Sequence, residues 1–202
     1  LEIRKEISDV HGVATDYRNL GTLFHSLRKY KKAQRYAEKA LSISKEIGDI
    51  KGEAAVYGNL GVLFQSQGEY ERAKEYTEKA LFIRKAIGDR RGEASDYGKL
   101  GTLFQSLGRF KKAKGYTERA LAIRKEISDR KGEASDYGNL GTLFQSLAQY
   151  KKAEEYTERA LAIGKEIGDR NGEATANGNL GILLSCKVNT RRLKNTSRER
   201  LI

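Results

Sequence analysis

The chain contains no Pro, no Trp, no Met and one cysteine, Cys186. A single thiol excludes a disulfide framework and predicts a reducing, cytoplasmic setting. The absence of Met, even at position 1, predicts a fragment of a longer chain or a processed product. No apolar run approaches the roughly 18 residues of a membrane span, and the opening stretch LEIRKEISD lacks the layout of a signal peptide. Catalytic and metal signatures are equally scarce. His11 lies near an inter-repeat turn, His25 is the lone histidine on the polar face of its helix, and Cys186 has no His at a recognisable spacing. Neither a metal-ligand cluster nor a phosphate loop nor a nucleophile motif occurs, so the sequence predicts no enzyme, no cofactor and no small-molecule substrate.

What is present is repetition. Leu20, Leu60, Leu100, Leu140 and Leu180 each precede a Gly, so the period is forty residues without insertion. A period between about 20 and 50 residues indicates a repeat architecture. The blocks are 12–51, 52–91, 92–131 and 132–171, and the last two differ at nine of forty positions, which points to recent duplication. Residues 1–11 align with the end of a block, 172–186 with its first half, and 187–202 fall outside the period. That tail carries a net +5 of the chain's +12. It is expected not to fold on its own; a truncation artefact is preferred over a basic contact arm as its explanation. The four blocks carry +5, +1, +5 and −2, so the basic balance is patchy and a nucleic-acid partner is only a weak alternative.

Within a block, Tyr57, Leu60, Gly61, Phe64 and Gln67 (Leu107 in the next block) recur at three- and four-residue spacing and predict a first amphipathic helix, A. Tyr70, Ala73, Tyr76, Ala80, Leu81, Ile83 and Ile87 predict a second, B. Gly61 and Ala73 are small enough for the two backbones to approach closely. Gly88 suits a helix C-terminus and Asp89 an N-cap.

The combination Tyr57, Leu60, Gly61, Phe64, then Ala73 and Ala80, repeated in all four blocks, resembles the tetratricopeptide repeat, W-x2-L-G-x2-Y…A-x3-F…P. Two positions depart from it. The second aromatic falls one place early, at Tyr76, with Thr77 in its stead, and Lys85 replaces the closing Pro. The forty-residue unit with its YxNLG motif resembles the subgroup of Leu-Gly-Asn-repeat G-protein-signalling modulators, kinesin light chains and nephrocystin-type proteins. The resemblance implies an all-α, right-handed superhelical solenoid of tandem helical hairpins whose A helices line a concave groove, and a function in holding peptide segments of partner proteins.

The A-helix face opposite the apolar stripe carries Thr22, Asn19 and their equivalents, and the candidate contacts follow from it. Asn19, Asn59, Asn139 and Asn179 recur in register, with Lys99 in the remaining block. A carboxamide offers a donor and an acceptor to an extended backbone, and such asparagines are peptide clamps in the subgroup resembled. Gly58, Gly98 and Gly138 precede that position and would let a ligand backbone come close. Thr22, Thr102, Thr142, Gln65, Gln105 and Gln145 complete the set, and Arg18 with Lys99 makes it mildly basic, which predicts an acidic ligand residue. Two other readings stay open. The asparagines are also compatible with simple solvation or with bonds to a neighbouring helix. The protein is also compatible with a self-association module stacking end to end.

Overall fold

The computed structural model describes residues 2–6 and 8–199, with side chains for 2–4 and 8–186. Ten helices are described: α1 (Glu2–Glu6), α2 (Val10–Ser26), α3 (Tyr30–Glu46), α4 (Ile50–Ser66), α5 (Tyr70–Ala86), α6 (Arg90–Ser106), α7 (Phe110–Glu126), α8 (Arg130–Ser146), α9 (Tyr150–Glu166) and α10 (Arg170–Glu199). No strand occurs among the described residues. They form two compact units, Leu1–Leu107 and Gly108–Ile202. In the first, α2 pairs with α3 and α4 with α5, each hairpin packs on the next, and α6 closes against α5 and α4. In the second, α7 packs on α8, α8 on α9, and α10 lies against both α9 and α8.

Local chemistry sets the helix ends. Asp9, Asp49, Asp89, Asp129 and Asp169 cap the helices that follow, each carboxylate accepting from the backbone N–H of the glycine three residues on, at 2.8–3.1 Å. Before each cap the chain turns through a residue with positive φ: Gly48, Gly88 and Gly168, but also Ser8 and Ser128. The turns after α2, α4, α6 and α8 use Arg28, Gly68, Gly108 and Ala148 at positive φ. The equivalent position in the last repeat, 188, falls within α10 and is a valine, a β-branched residue type that disfavours that conformation. The turn is missing there, and α10 continues to Glu199. The sequence places a non-repeat tail after 186, and α10 runs on through it to Glu199; residues 200–202 lie outside the described residues.

Close helix approach creates the core. A side chain at Gly61 would meet the Ala73 carbonyl at 3.2 Å and the hydroxyl of Thr77. Thr77 is buried and donates to Ala73 O at 2.7 Å. It therefore fills the helix interface that a larger Phe would pry open. Tyr76 packs instead on Phe64, with ring centroids 5.2 Å apart, and Arg72 lies 3.7 Å above the Phe64 ring. Unit two repeats the arrangement with Phe144, Tyr156 and Lys152.

Successive repeats are also joined by ion pairs that span from a B helix to the next A helix. Arg84 Nε faces Asp96 Oδ2 at 3.3 Å, and Arg124 Nε faces Asp136 Oδ2 at 2.8 Å, with both aspartates buried. Arg4 and Asp16 make the same pair at 3.3 Å in a more exposed setting. Elsewhere both partners change together: Ser44 with Val56, and Gly164 with Ala176. An arginine left facing an apolar residue, or an aspartate left without its arginine, would be a buried unpaired charge, which explains the joint replacement. Burial pushes the Asp136 carboxyl up to about 7 against the pull of Arg124, with Asp129 adding to the rise. Burial also raises Asp96, against Lys99 and Arg84.

Two predictions follow from this packing. Leu23 and Leu63 occupy the same place in successive repeats but are 51% and 3% exposed. Leu63→Ala is expected to cost about 2–5 kcal/mol and Leu23→Ala about 1 kcal/mol or less by denaturant titration; equal costs would contradict the described core. The second concerns pH. Asp136 holds its proton more tightly folded than unfolded, so its contribution to stability is complete below an unfolded value of about 4 and is lost as pH rises toward 7. Relative to Asp136→Asn, the parent should lose stability across that window, with a slope of at most about 1.4 kcal/mol per pH unit. A flat difference between the two proteins would show that the carboxyl is not perturbed.

Candidate functional site

The polar faces of the A helices hold the candidate residues, and each unit brings together its own set. In the first unit, Arg18, Thr22, His25, Asn59 and Val62 line a small cavity of about 90 Å³ floored by Gly21, Ala33 and Ala37. Asn59 Nδ2 donates to Thr22 Oγ1 at 3.4 Å, and Thr22 in turn donates to Arg18 O at 3.2 Å. Asn59 thus makes a long bond to the neighbouring helix, one of the roles left open by its sequence position. His25 Nε2 lies 2.9 Å from Ser66 Oγ, a second polar link between α2 and α4. Asn19 is exposed. The guanidinium of Arg18 pairs with no carboxylate among the described residues.

Lys99 behaves differently from its expected role. Its Nζ donates to Asp96 Oδ1 at 3.0 Å and is only 23% exposed, so its charge is spent on a buried carboxylate rather than offered to a ligand. The same ammonium lies 2.7 Å from where a Cβ at Gly58 would be, with Asp96 and Arg84 next nearest. Gly58 therefore makes room for a lysine of the adjacent helix, a packing role beside the expected one of clearing space for a ligand backbone. Gly98 is buried, Thr102 donates to Lys99 O at 2.9 Å, and Gln65 and Gln105 are half-buried.

The second unit holds the larger opening. A cavity of about 500 Å³ is bordered by α8, α9 and α10 and includes Gly138, Asn139, Thr142 and Asn179 from the expected set. Gln145, on α8, is half-buried. Around a Cβ built on Gly138 there is open space to 4 Å. Thr142 donates to Asn139 O at 3.0 Å, whereas the carboxamides of Asn139 and Asn179 make no hydrogen bond among the described residues. The floor and walls add Ala134, Ala160, Ala176 and Thr157, and Lys131 meets Asp169 at 3.7 Å on the rim. Sequence reasoning singled out the asparagines and missed the buried Asp96 and Asp136. The available signal was their joint variation with the residue twelve places earlier.

Among the described residues no group of three or more His, Cys, Asp or Glu is placed to hold a metal ion, and no helix is long and apolar enough to cross a membrane.

No curated protein sequence matches the chain. Solved structures do. BtubC (BKLC) from P. vanneervenii superposes with a TM-score of 0.67 at 22% identity, covering 98% of this chain and 93% of that one. The nearly identical TPR-like repeats of a Podosopora anserina putative kinesin light chain give 0.68 at 15% identity, covering 90% of each. A Rap protein complexed with Competence and Sporulation Factor gives 0.76 at 19% identity; 91% of this chain is covered, but only 51% of that protein. At these identities the likeness concerns the fold. Family assignment comes from the sequence itself: residues 17–47, 52–126 and 137–170 each match the tetratricopeptide repeat. With helical hairpins built on the same small and aromatic positions, the chain belongs to the tetratricopeptide repeat family.

Proposed function

We propose that this protein is an interaction scaffold that holds an extended peptide segment of a partner protein along the polar faces of its A helices. The observation that carries the reading is the pair of unbonded carboxamides, Asn139 and Asn179, facing a cavity of about 500 Å³ in the second unit. Each can give an N–H and accept at a C=O, which is the complement of an extended peptide group. Adjacent A helices at roughly 8–10 Å would meet about every third residue of a strand rising roughly 3.3 Å per residue. The family membership and the structural likeness to a Rap protein complexed with Competence and Sporulation Factor support a scaffold role. An acidic ligand residue would be met by Arg18, since Lys99 is committed to Asp96.

A second reading, self-association, has its own observation: Ile3, Val10, Leu23 and Leu27 are all largely exposed in the first unit. Sedimentation separates the two, because concentration-dependent oligomers favour the second and a peptide-binding monomer the first.

The test is selection of linear peptides on the full chain, followed by calorimetry. Asn139→Ala with Asn179→Ala should leave helicity intact and weaken a selected peptide about tenfold or more, at roughly 0.5–1.5 kcal/mol per lost hydrogen bond. Unchanged affinity would mean that these carboxamides are merely solvated.

A further inference from the structure

Two places in the chain, eighty residues apart, share a backbone but not a filling. In the first unit, the space above Gly58 is occupied by three side chains: Lys99 Nζ at 2.7 Å, Asp96 Oδ1 at 3.4 Å and Arg84 Nη2 at 3.5 Å from a built Cβ. The equivalent positions in the second unit are Gly138, with Asn179, Ala176 and Gly164 in place of the lysine, aspartate and arginine. Nothing lies within 4 Å of a Cβ at Gly138. The cavity of about 500 Å³ is thus the room left by the removal of an entire charged trio. At the first repeat junction the corresponding residues are Arg18 and Val56, which narrow the cavity to about 90 Å³.

We propose that the cavity between α8, α9 and α10 is a side-chain pocket for an uncharged, branched aliphatic or aromatic residue of a bound segment. The proposal rests on the peptide-scaffold reading and names the residue class that this site accepts. Its size falls in the range of ligand pockets, roughly 300–1,000 Å³. The charged groups of the lining, Lys131 and Asp169, stand at the rim. Lys131 and Asp169 pair with each other at 3.7 Å, and Asp169 also accepts from Gly172 N at 3.1 Å as the α10 cap. The hydroxyls of Thr142, Thr157 and Thr175 already donate to carbonyls of their own helices, at 3.0, 2.7 and 2.9 Å. An entering ammonium or carboxylate would lose its hydration and would have to break the Lys131–Asp169 pair at the rim to find a counter-ion. An apolar side chain would instead cover Ala134, Ala160 and Ala176. The free carboxamides of Asn139 and Asn179 remain for the flanking peptide groups.

The test uses capped amino acid amides as probes on the full chain. N-acetyl-leucinamide and N-acetyl-phenylalaninamide are titrated against N-acetyl-lysinamide and N-acetyl-aspartamide while the side-chain amide NMR signals of Asn139 and Asn179 are followed. The leucine and phenylalanine probes should bind at least tenfold more tightly than the charged ones. The triple variant Gly164→Arg, Ala176→Asp, Asn179→Lys rebuilds the trio found above Gly58 and should abolish the Asn139 shift. Ala176→Leu, which fills the floor without adding charge, should do the same and guards against misfolding of the triple variant. Equal response to charged and apolar probes, no response to any probe, or undiminished binding in Ala176→Leu would overturn the pocket. The scaffold reading fails separately: peptide selection returning no binder would sink it while leaving the probe result standing, and selected peptides that bind without a bulky apolar residue would retain the scaffold and sink the pocket.

Discussion

Close approach of paired helices is the constraint on which the rest of this structure depends. Neither helix of a hairpin can bury its apolar stripe alone, and a repeat gains its core from its partner helix and its neighbours. Gly61 and Gly141 sit directly against the carbonyls of Ala73 and Ala153, and Ala80 and Ala160 are buried on the same B-helix faces. Thr77 and Thr157 satisfy their hydroxyls within their own helix, so a polar residue is accommodated in the interface without an unpaired group. With backbone separation fixed by small residues, the large ones pack beside that contact, Leu60 and Phe64 among the most deeply buried. There the aromatic rings stack on one another and carry Lys32, Arg72 or Lys152 above them.

That fixed frame lets individual junctions vary without rebuilding the fold. The same two backbone positions hold Arg84 with Asp96, Ser44 with Val56, or Gly164 with Ala176. Each combination is internally consistent in charge, and each leaves a different volume beside the A-helix face. The buried pair is not retained for strength, since desolvation of both ions offsets much of their attraction. Burial raising Asp96 and Asp136 records that cost. Its effect is one of filling: with the pair and Lys99 present the space above Gly58 is occupied, and with Gly164, Ala176 and Asn179 in their places the space above Gly138 is open.

Recent duplication makes such departures informative. Residues copied without change, such as the Asp caps and the Leu-Gly pair at 20/21 and its equivalents, serve the frame in every repeat. Positions 99/139 and 124/164 are among the few at which blocks three and four differ, and both govern what surrounds the polar face. A uniform ladder of asparagines therefore divides into dissimilar sites: Asn59 bonded to Thr22, Lys99 bound to Asp96, and Asn139 and Asn179 open to the cavity.

The sequence by itself determined the all-α class, the forty-residue hairpin, the helix caps and the membership of the family, because those depend on local periodicity, on small residues at fixed spacing and on turn chemistry copied several times over. It also put the candidate residues on the polar face of the A helices. Tertiary structure decided which of them are available. Lys99 reads as a free cation in sequence because its partner Asp96, three residues away, is recognisable as buried only when α5 and α6 pack together. Gly58 and Gly138 stand in the same YGNLG stretch, yet one is covered and the other open, because the side chains that settle the matter come from the next A helix and the B helix between. The helical run to Glu199 likewise depended on one left-handed turn that Val188 does not make. Period and composition report what a helix presents; what then fills the space beside it is set by residues brought there from other helices.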